Sequence, residues 1–134
     1  MSGDISVRGG TIEFEGSHMA RKTGPDKRTV DLVHNRSAGI CEVCGWAEGQ
    51  QLHHRCPRRA GGTRDKAINA PSNLIFLCHL CHASIESHRV KAINDGHLIS
   101  QFNRDGADEV PLLYRGTWRA LDNEGGFVTI DRAD

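Results

Sequence analysis

Ile40-Cys41-Glu42-Val43-Cys44-Gly45 and Cys78-His79-Leu80-Cys81-His82 decide how this chain folds. Each run holds a C-x-x-C pair in a short turn, and 33 residues separate the two pairs. Two such pairs read as one tetrahedral zinc site, in which thiolates from distant parts of the chain converge on a single ion. The alternatives are two disulfides or a redox C-x-x-C. The presence of both pairs without a thioredoxin-like pattern weighs against them. The interval exceeds the ~15–20 residues of a simple zinc ribbon, which leaves room for a hairpin and a loop between the knuckles. Thiolate ligation of this kind supplies roughly 10–16 kcal/mol of apparent binding energy that doubles as folding energy. Hydrophobic residues make up 37% of the chain and aromatic ones 5%, so a domain of this size gains from such a staple. Cys56, the odd cysteine, is read as reduced and partly buried, with no role.

Upstream of the first knuckle, a helix is expected from Pro25 or Asp26 to Ala38. Val30, Val33, His34 and Ser37 fall on one face, with His34 as a packing histidine and Gly39 as the stop. Between the knuckles, residues 47–55 are extended and end in His53-His54; residues 56–73 form a loop containing Pro57, Gly61, Gly62 and Pro71. Residues 73–78 read as a short buried strand. A helix over residues 82–93 follows the second knuckle and closes at Asn94-Asp95-Gly96. Short strands are expected at residues 97–102, 112–114, 118–121 and 127–130, with Trp46, Trp118 and Phe127 in the core. The fold class is therefore small α+β, stapled by a four-cysteine zinc site and ending in a short β-rich extension.

Gly16-Ser17-His18-Met19 matches what a cleavable tag leaves before an initiator methionine, so residues 1–18 are taken as a tag and linker. Residues 19–96 then form the main domain, and residues 97–134 an acidic extension packed on or appended to it. The net charge is zero, but its distribution is uneven. Residues 20–91 carry twelve Lys and Arg against six Asp and Glu, whereas residues 92–134 carry four against eight. A basic half beside an acidic half suits one face for a polyanion, and overall neutrality argues against tight non-specific binding. No apolar run approaches the ~20 residues of a membrane span and no secretory pattern occurs, so the expectation is a soluble cytoplasmic protein without a membrane partner.

The segment between the knuckles carries the chemistry. It reads Leu52-His53-His54-Arg55-Cys56-Pro57-Arg58-Arg59-Ala60-Gly61-Gly62, then Ser72-Asn73-Leu74, then Cys81-His82. Hydrolysis of a phosphodiester needs a base that titrates near neutrality, which is the chemistry of histidine, and positive charge at the phosphate oxygens, which a divalent ion supplies. Neighbouring residues on a strand point to opposite sides, so one ligand plus one base suits His53-His54 better than two ligands. Arg55, Arg58, Arg59, Arg64 and Lys66 form a basic group beside these histidines, suited to the phosphate backbone, and Arg21, Lys22, Lys27 and Arg28 could form a basic arm.

Over roughly residues 40–90 this pattern resembles the zinc-knuckle branch of the HNH nuclease family, common in phage and bacterial genomes. The shared points are the histidine pair, the Pro-Arg and Gly-Gly loop, Asn73-Leu74 and the final Cys-x-x-Cys-His. The resemblance implies a ββα-metal (His-Me finger) nuclease core and a DNA endonuclease that uses one catalytic divalent ion. By carry-over, His54 is the general base, and His53 and His82 hold the catalytic ion. Asn73 binds loop backbone and keeps His54 oriented, while His88 is a third ligand or a phosphate contact. It also implies 5′-phosphate and 3′-hydroxyl products. By analogy alone, it implies a phage-encoded protein that works in the host cytoplasm beside packaging or other nucleic-acid-processing proteins.

The chain departs from the pattern in two places. His53 stands where many members have aspartate, so the site is softer and favours Zn²⁺, Ni²⁺, Co²⁺ or Mn²⁺ over Mg²⁺ without excluding it. Six residues separate His82 from His88, so the two share a face only if the helix is irregular. The rivals are a non-catalytic zinc module for nucleic acid or protein, which has no need of His53, His54, Asn73 and His82 together, and a hydrolase of RNA. Base specificity, nicking against double-strand cleavage, and monomer against homodimer are not written in the sequence.

Overall fold

The computed structural model describes residues 24–57 and 66–131. The expected tag segment, Arg21 and Lys22, and Arg58, Arg59, Gly61, Gly62 and Arg64 lie outside the described residues.

Helix α1 spans Lys27–Ser37. It starts there because the Asp26 side chain accepts the Thr29 amide at 2.9 Å, an N-cap bond. Ala38 and Gly39, at φ 57° and 80°, end it in the left-handed region. Val33 and Ser37 face inward, while His34 stays exposed with its ring 4.7 Å from that of Phe76.

The first knuckle closes through the Cys41 amide on Ala47 O at 2.8 Å and the Gly45 amide on Cys41 O at 3.0 Å. Trp46, expected in the core, is 78% exposed, because it sits on the outer tip of this turn. Trp118 is half-buried, and Phe127 is exposed on an edge strand. Strands β1 (Gln51–His54) and β2 (Leu74–Leu77) pair antiparallel, with His53 opposite Ile75 and His54 opposite Leu74. Helix α2 (His79–Ser87) follows directly. It begins three residues before the expected start because Cys78 is itself the N-cap, its sulfur accepting the Cys81 amide.

The single helix expected over residues 82–93 is two. Helix α3 (Arg89–Asn94) is separated from α2 by His88, at φ −129° and ψ 65°. The His88 ring Nδ1 and its own amide both reach Ser84 O, so the ring competes with the helical ladder at the break. Gly96 then reverses the chain at φ 79°, where a Cβ would lie 2.1 Å from Pro111 O. Residues 97–102 are not a strand. The His97 and Leu98 amides both bond Ala92 O, which wraps the segment around the end of α3 instead.

Strands β3 (Leu112–Tyr114), β4 (Thr117–Leu121) and β5 (Phe127–Thr129) form an antiparallel sheet in that order. Arg115 and Gly116 make the two-residue turn between β3 and β4, both at positive φ as the mirror-image hairpin turns require. Arg115 is held in that conformation by donating to Ser37 O, Ile40 O and Cys41 O. The core gathers Ile75, Leu77, Ile85, Leu112 and Tyr114 around Cys41 and Cys78. One buried ion pair ties its pieces together. Glu42 accepts from Arg36 (2.6 and 2.9 Å), the Phe76 amide (2.8 Å) and the Tyr114 hydroxyl (2.8 Å), so both carboxylate oxygens are fully used. Burial, and then the Glu42 carboxylate beside it, push the Tyr114 phenol above its ordinary range. Among the described residues no helix is long and apolar enough to cross a membrane.

Candidate functional site

Cys41, Cys44, Cys78 and Cys81 meet, their sulfurs all within 4.8 Å of one another. All four are free thiols, with Cys41 and Cys78 buried. Four sulfurs from two knuckles fit a tetrahedral ion such as zinc. Burial pushes the Cys44 thiol up, but the Trp46 and Ala47 amides and the neighbouring thiols more than offset it and hold it at about 7. Burial raises the Cys81 thiol, and neighbouring sulfurs raise it further. Crowding of this kind is relieved when a cation takes the charge.

A second cluster lies one residue beyond the fourth cysteine. His53 on β1 and His82 and Glu86 on α2 offer one ligand atom each, all within 4.8 Å of one another. The His53 and His82 rings meet edge to face at 5.6 Å, and His82 Nε2 lies 4.0 Å from Glu86 Oε2. His53 is 6% exposed, and its Nε2–H donates to His97 O at 3.0 Å. That bond leaves Nδ1 as the nitrogen with a free lone pair, the arrangement by which a carbonyl orients a ligating histidine. Burial, followed by the nearby His82, lowers its pKa to about 4, so the ring is neutral as ligation requires. His82 is half-buried and Glu86 exposed, so the cluster opens to solvent on the α2 side.

Glu86 is the residue that the sequence reading missed; the signal was its place four after His82, one helical turn away. His88, expected as a third ligand or a phosphate contact, is outside the cluster of ligand atoms. The helix does break there, but the break turns the exposed ring back onto Ser84 O.

His54 ends β1, half-buried, and its Nε2 lies 2.8 Å from the Asn69 side-chain oxygen. Asn73 is 1% exposed and clamps loop backbone. It accepts the Cys56 amide and donates to Cys56 O and Ile68 O, at 2.8, 3.1 and 2.8 Å. Asn73 therefore acts on the backbone around His54, and the contact to the ring itself comes from Asn69.

Arg55 is a correction. It is fully buried, and its guanidinium donates to the carbonyls of Gly96, Ser72, Ala107 and Val110 at 2.7–3.1 Å. Burial lowers its pKa to about 10, which still leaves it charged. A side chain so enclosed braces β1 against the chain after α3 and does not touch a phosphate. Of the other basic candidates, Lys66 opens the 3-10 turn Lys66–Asn69, and Lys27 pairs with Asp31 at 2.7 Å on α1.

No protein-family model matches this chain, and no curated protein or solved structure matches it either.

Proposed function

We propose that this protein is a metal-dependent endonuclease of the HNH type, hydrolysing phosphodiester bonds in DNA. One observation carries the proposal. His53, His82 and Glu86 converge from a hairpin and the helix after it, and His54 stands one residue from that cluster with its ring already oriented. The order β1, β2, α2, with a cysteine cluster at the start of α2, suits a ββα-metal core. The donor set of two imidazoles and a carboxylate fits a divalent ion of the first transition row, and Mg²⁺ less well. Such an ion would supply positive charge to the non-bridging and leaving oxygens of the phosphate.

The chain's own residues supply the rest. The carboxamide oxygen of Asn69 only accepts, so His54 donates through Nε2 and keeps the lone pair on Nδ1. That nitrogen takes one proton of the attacking water as its oxygen bonds to phosphorus; the P–O3′ bond breaks, and the departing 3′ oxygen takes a proton from solvent to become the hydroxyl. His97 O holds His53, and Asn73 keeps the loop backbone in place beside His54. Arg58, Arg59, Arg64 and Lys66 remain the candidates for gripping the phosphate backbone.

The test is cleavage of supercoiled plasmid by wild type and His54→Ala, each with Mg²⁺, Mn²⁺, Ni²⁺ or EDTA, with zinc content measured on both. Metal-dependent nicking by wild type and none by a folded, zinc-loaded variant is the expected outcome. If wild type fails to cut whichever ion is supplied, the protein is a zinc-stapled binding module; a parallel RNA substrate decides the polymer.

A further inference from the structure

We propose that Asn69 is a positioning residue that locks the His54 ring in the tautomer bearing its proton on Nε2. The inference deepens the nuclease reading and rests on it. A neutral imidazole in water populates both tautomers, and the partner of one nitrogen decides which nitrogen keeps the lone pair. Here the partner is the Asn69 side-chain oxygen at 2.8 Å, 15 residues further along the chain. An amide oxygen has no proton to give, so this contact forms only when His54 Nε2 is protonated. The opposite tautomer would break the bond and leave an N–H on Nδ1, where a base needs its lone pair.

Asn69 is itself held in place. It ends the 3-10 turn Lys66–Asn69, which is closed by the Ala70 amide on Ala67 O at 3.1 Å. Buried Asn73 secures the same turn from the other side, through its Nδ2 on Ile68 O at 2.8 Å and its amide on Ala70 O at 2.9 Å. The order of control runs from Asn73 to the turn, from the turn to Asn69, and from Asn69 to the ring. Neither asparagine touches the reacting atoms on this account; both act through His54.

The experiment compares wild type, Asn69→Leu and Asn69→Asp, each checked for zinc content and far-UV dichroism. Nicking kinetics with Mn²⁺ and Ni²⁺ are measured alongside imidazole nitrogen NMR, which reports the His54 tautomer without any turnover. Leu is close in size but cannot accept; Asp keeps an acceptor and loses the amide donor. The expected result is a fall in kcat of roughly 10- to 100-fold for Asn69→Leu with KM little changed, the range typical of lost supporting hydrogen bonds. The His54 ring should then show mixed tautomers, and Asn69→Asp should recover most of the rate and the Nε2–H form. Cutting by a folded Asn69→Leu at the wild-type rate overturns the proposal. So does an Asn69→Asp variant as slow as Asn69→Leu, since the amide donor would then be what matters. A wild type that fails to cut with either ion overturns the nuclease reading and this inference together, and is distinguished from failure of Asn69 alone by the wild-type control.

Discussion

Replacing Arg55 by Met keeps an unbranched apolar stem in the same channel and removes every donation its guanidinium makes. Four carbonyls lose a partner. Ala107 O still accepts the Val110 amide at 3.3 Å, whereas Ser72 O, Gly96 O and Val110 O lose donors at 2.9, 2.9 and 2.7 Å. A buried polar group left without a partner costs about 1–3 kcal/mol. The cost is offset in part because the variant no longer takes a cation out of water. The net expectation is a loss of about 3–5 kcal/mol, a large share of the ~5–15 kcal/mol that holds a typical domain together. Urea unfolding of the zinc-loaded protein, followed by far-UV dichroism, measures it directly. Arg55→Lys should fall between the two, because one ammonium cannot span carbonyls on three segments. If Arg55→Met unfolds within about 1 kcal/mol of wild type, as an ordinary surface change would, the brace is wrong. A variant of normal stability that binds DNA more weakly would restore Arg55 to the phosphate-contacting surface.

The convergence of His53, His82 and Glu86 predicts that Glu86→Gln weakens binding of Mn²⁺ or Co²⁺ at that cluster by roughly 10- to 100-fold while leaving zinc content unchanged, whereas His88→Ala leaves both alone. Calorimetric titration separates the two, and equal losses in both variants would return His88 to the site. Cys78→Ser removes one of the four sulfurs while its hydroxyl keeps the N-cap of α2, so the loss reports on the metal site alone: cooperative unfolding should disappear, as it should on treating wild type with a strong zinc chelator. Cys56→Ser should still unfold cooperatively with its zinc bound, and loss of zinc in that variant would displace one of the four assigned ligands.

Burial lowers the pKa of His97, whose Nε2–H donates to Leu113 O at 2.7 Å. The unfolded chain takes up that proton near 6.5 and the folded one only at lower pH. Stability from this group is therefore fully present above about pH 6.5 and falls as pH drops below it, until the folded ring is also protonated. His97→Gln keeps a donor and has nothing to titrate, so urea midpoints between about pH 7.5 and 5.5 should fall less than in wild type; equal slopes would refute the assignment.

The spacing of four cysteines made their convergence into one cluster that could hold a metal legible, because ligand geometry is written locally in each knuckle. The shared face of Val30, Val33, His34 and Ser37 with its stop at Gly39, and the apolar run Leu74–Leu77, likewise located α1 and β2. His53-His54, Asn73 and His82 could be singled out by type and order before their geometry was known. What they touch could not. Arg55 lies in a basic stretch that reads as surface, and only the convergence of Ser72, Gly96, Ala107 and Val110 on its guanidinium makes it a buried brace. His88 is the more ligand-like residue type, yet helical pitch places Glu86 on the face of His82 and carries His88 past it. Asn69 sits in a loop of no distinctive pattern, and its bond to His54 exists only because Asn73 folds that loop against β1. Ligand type and cap are properties of short segments, so the sequence by itself determines them. Burial and hydrogen-bond partnership depend on which distant segments exclude water from one another, and that only the tertiary structure decides.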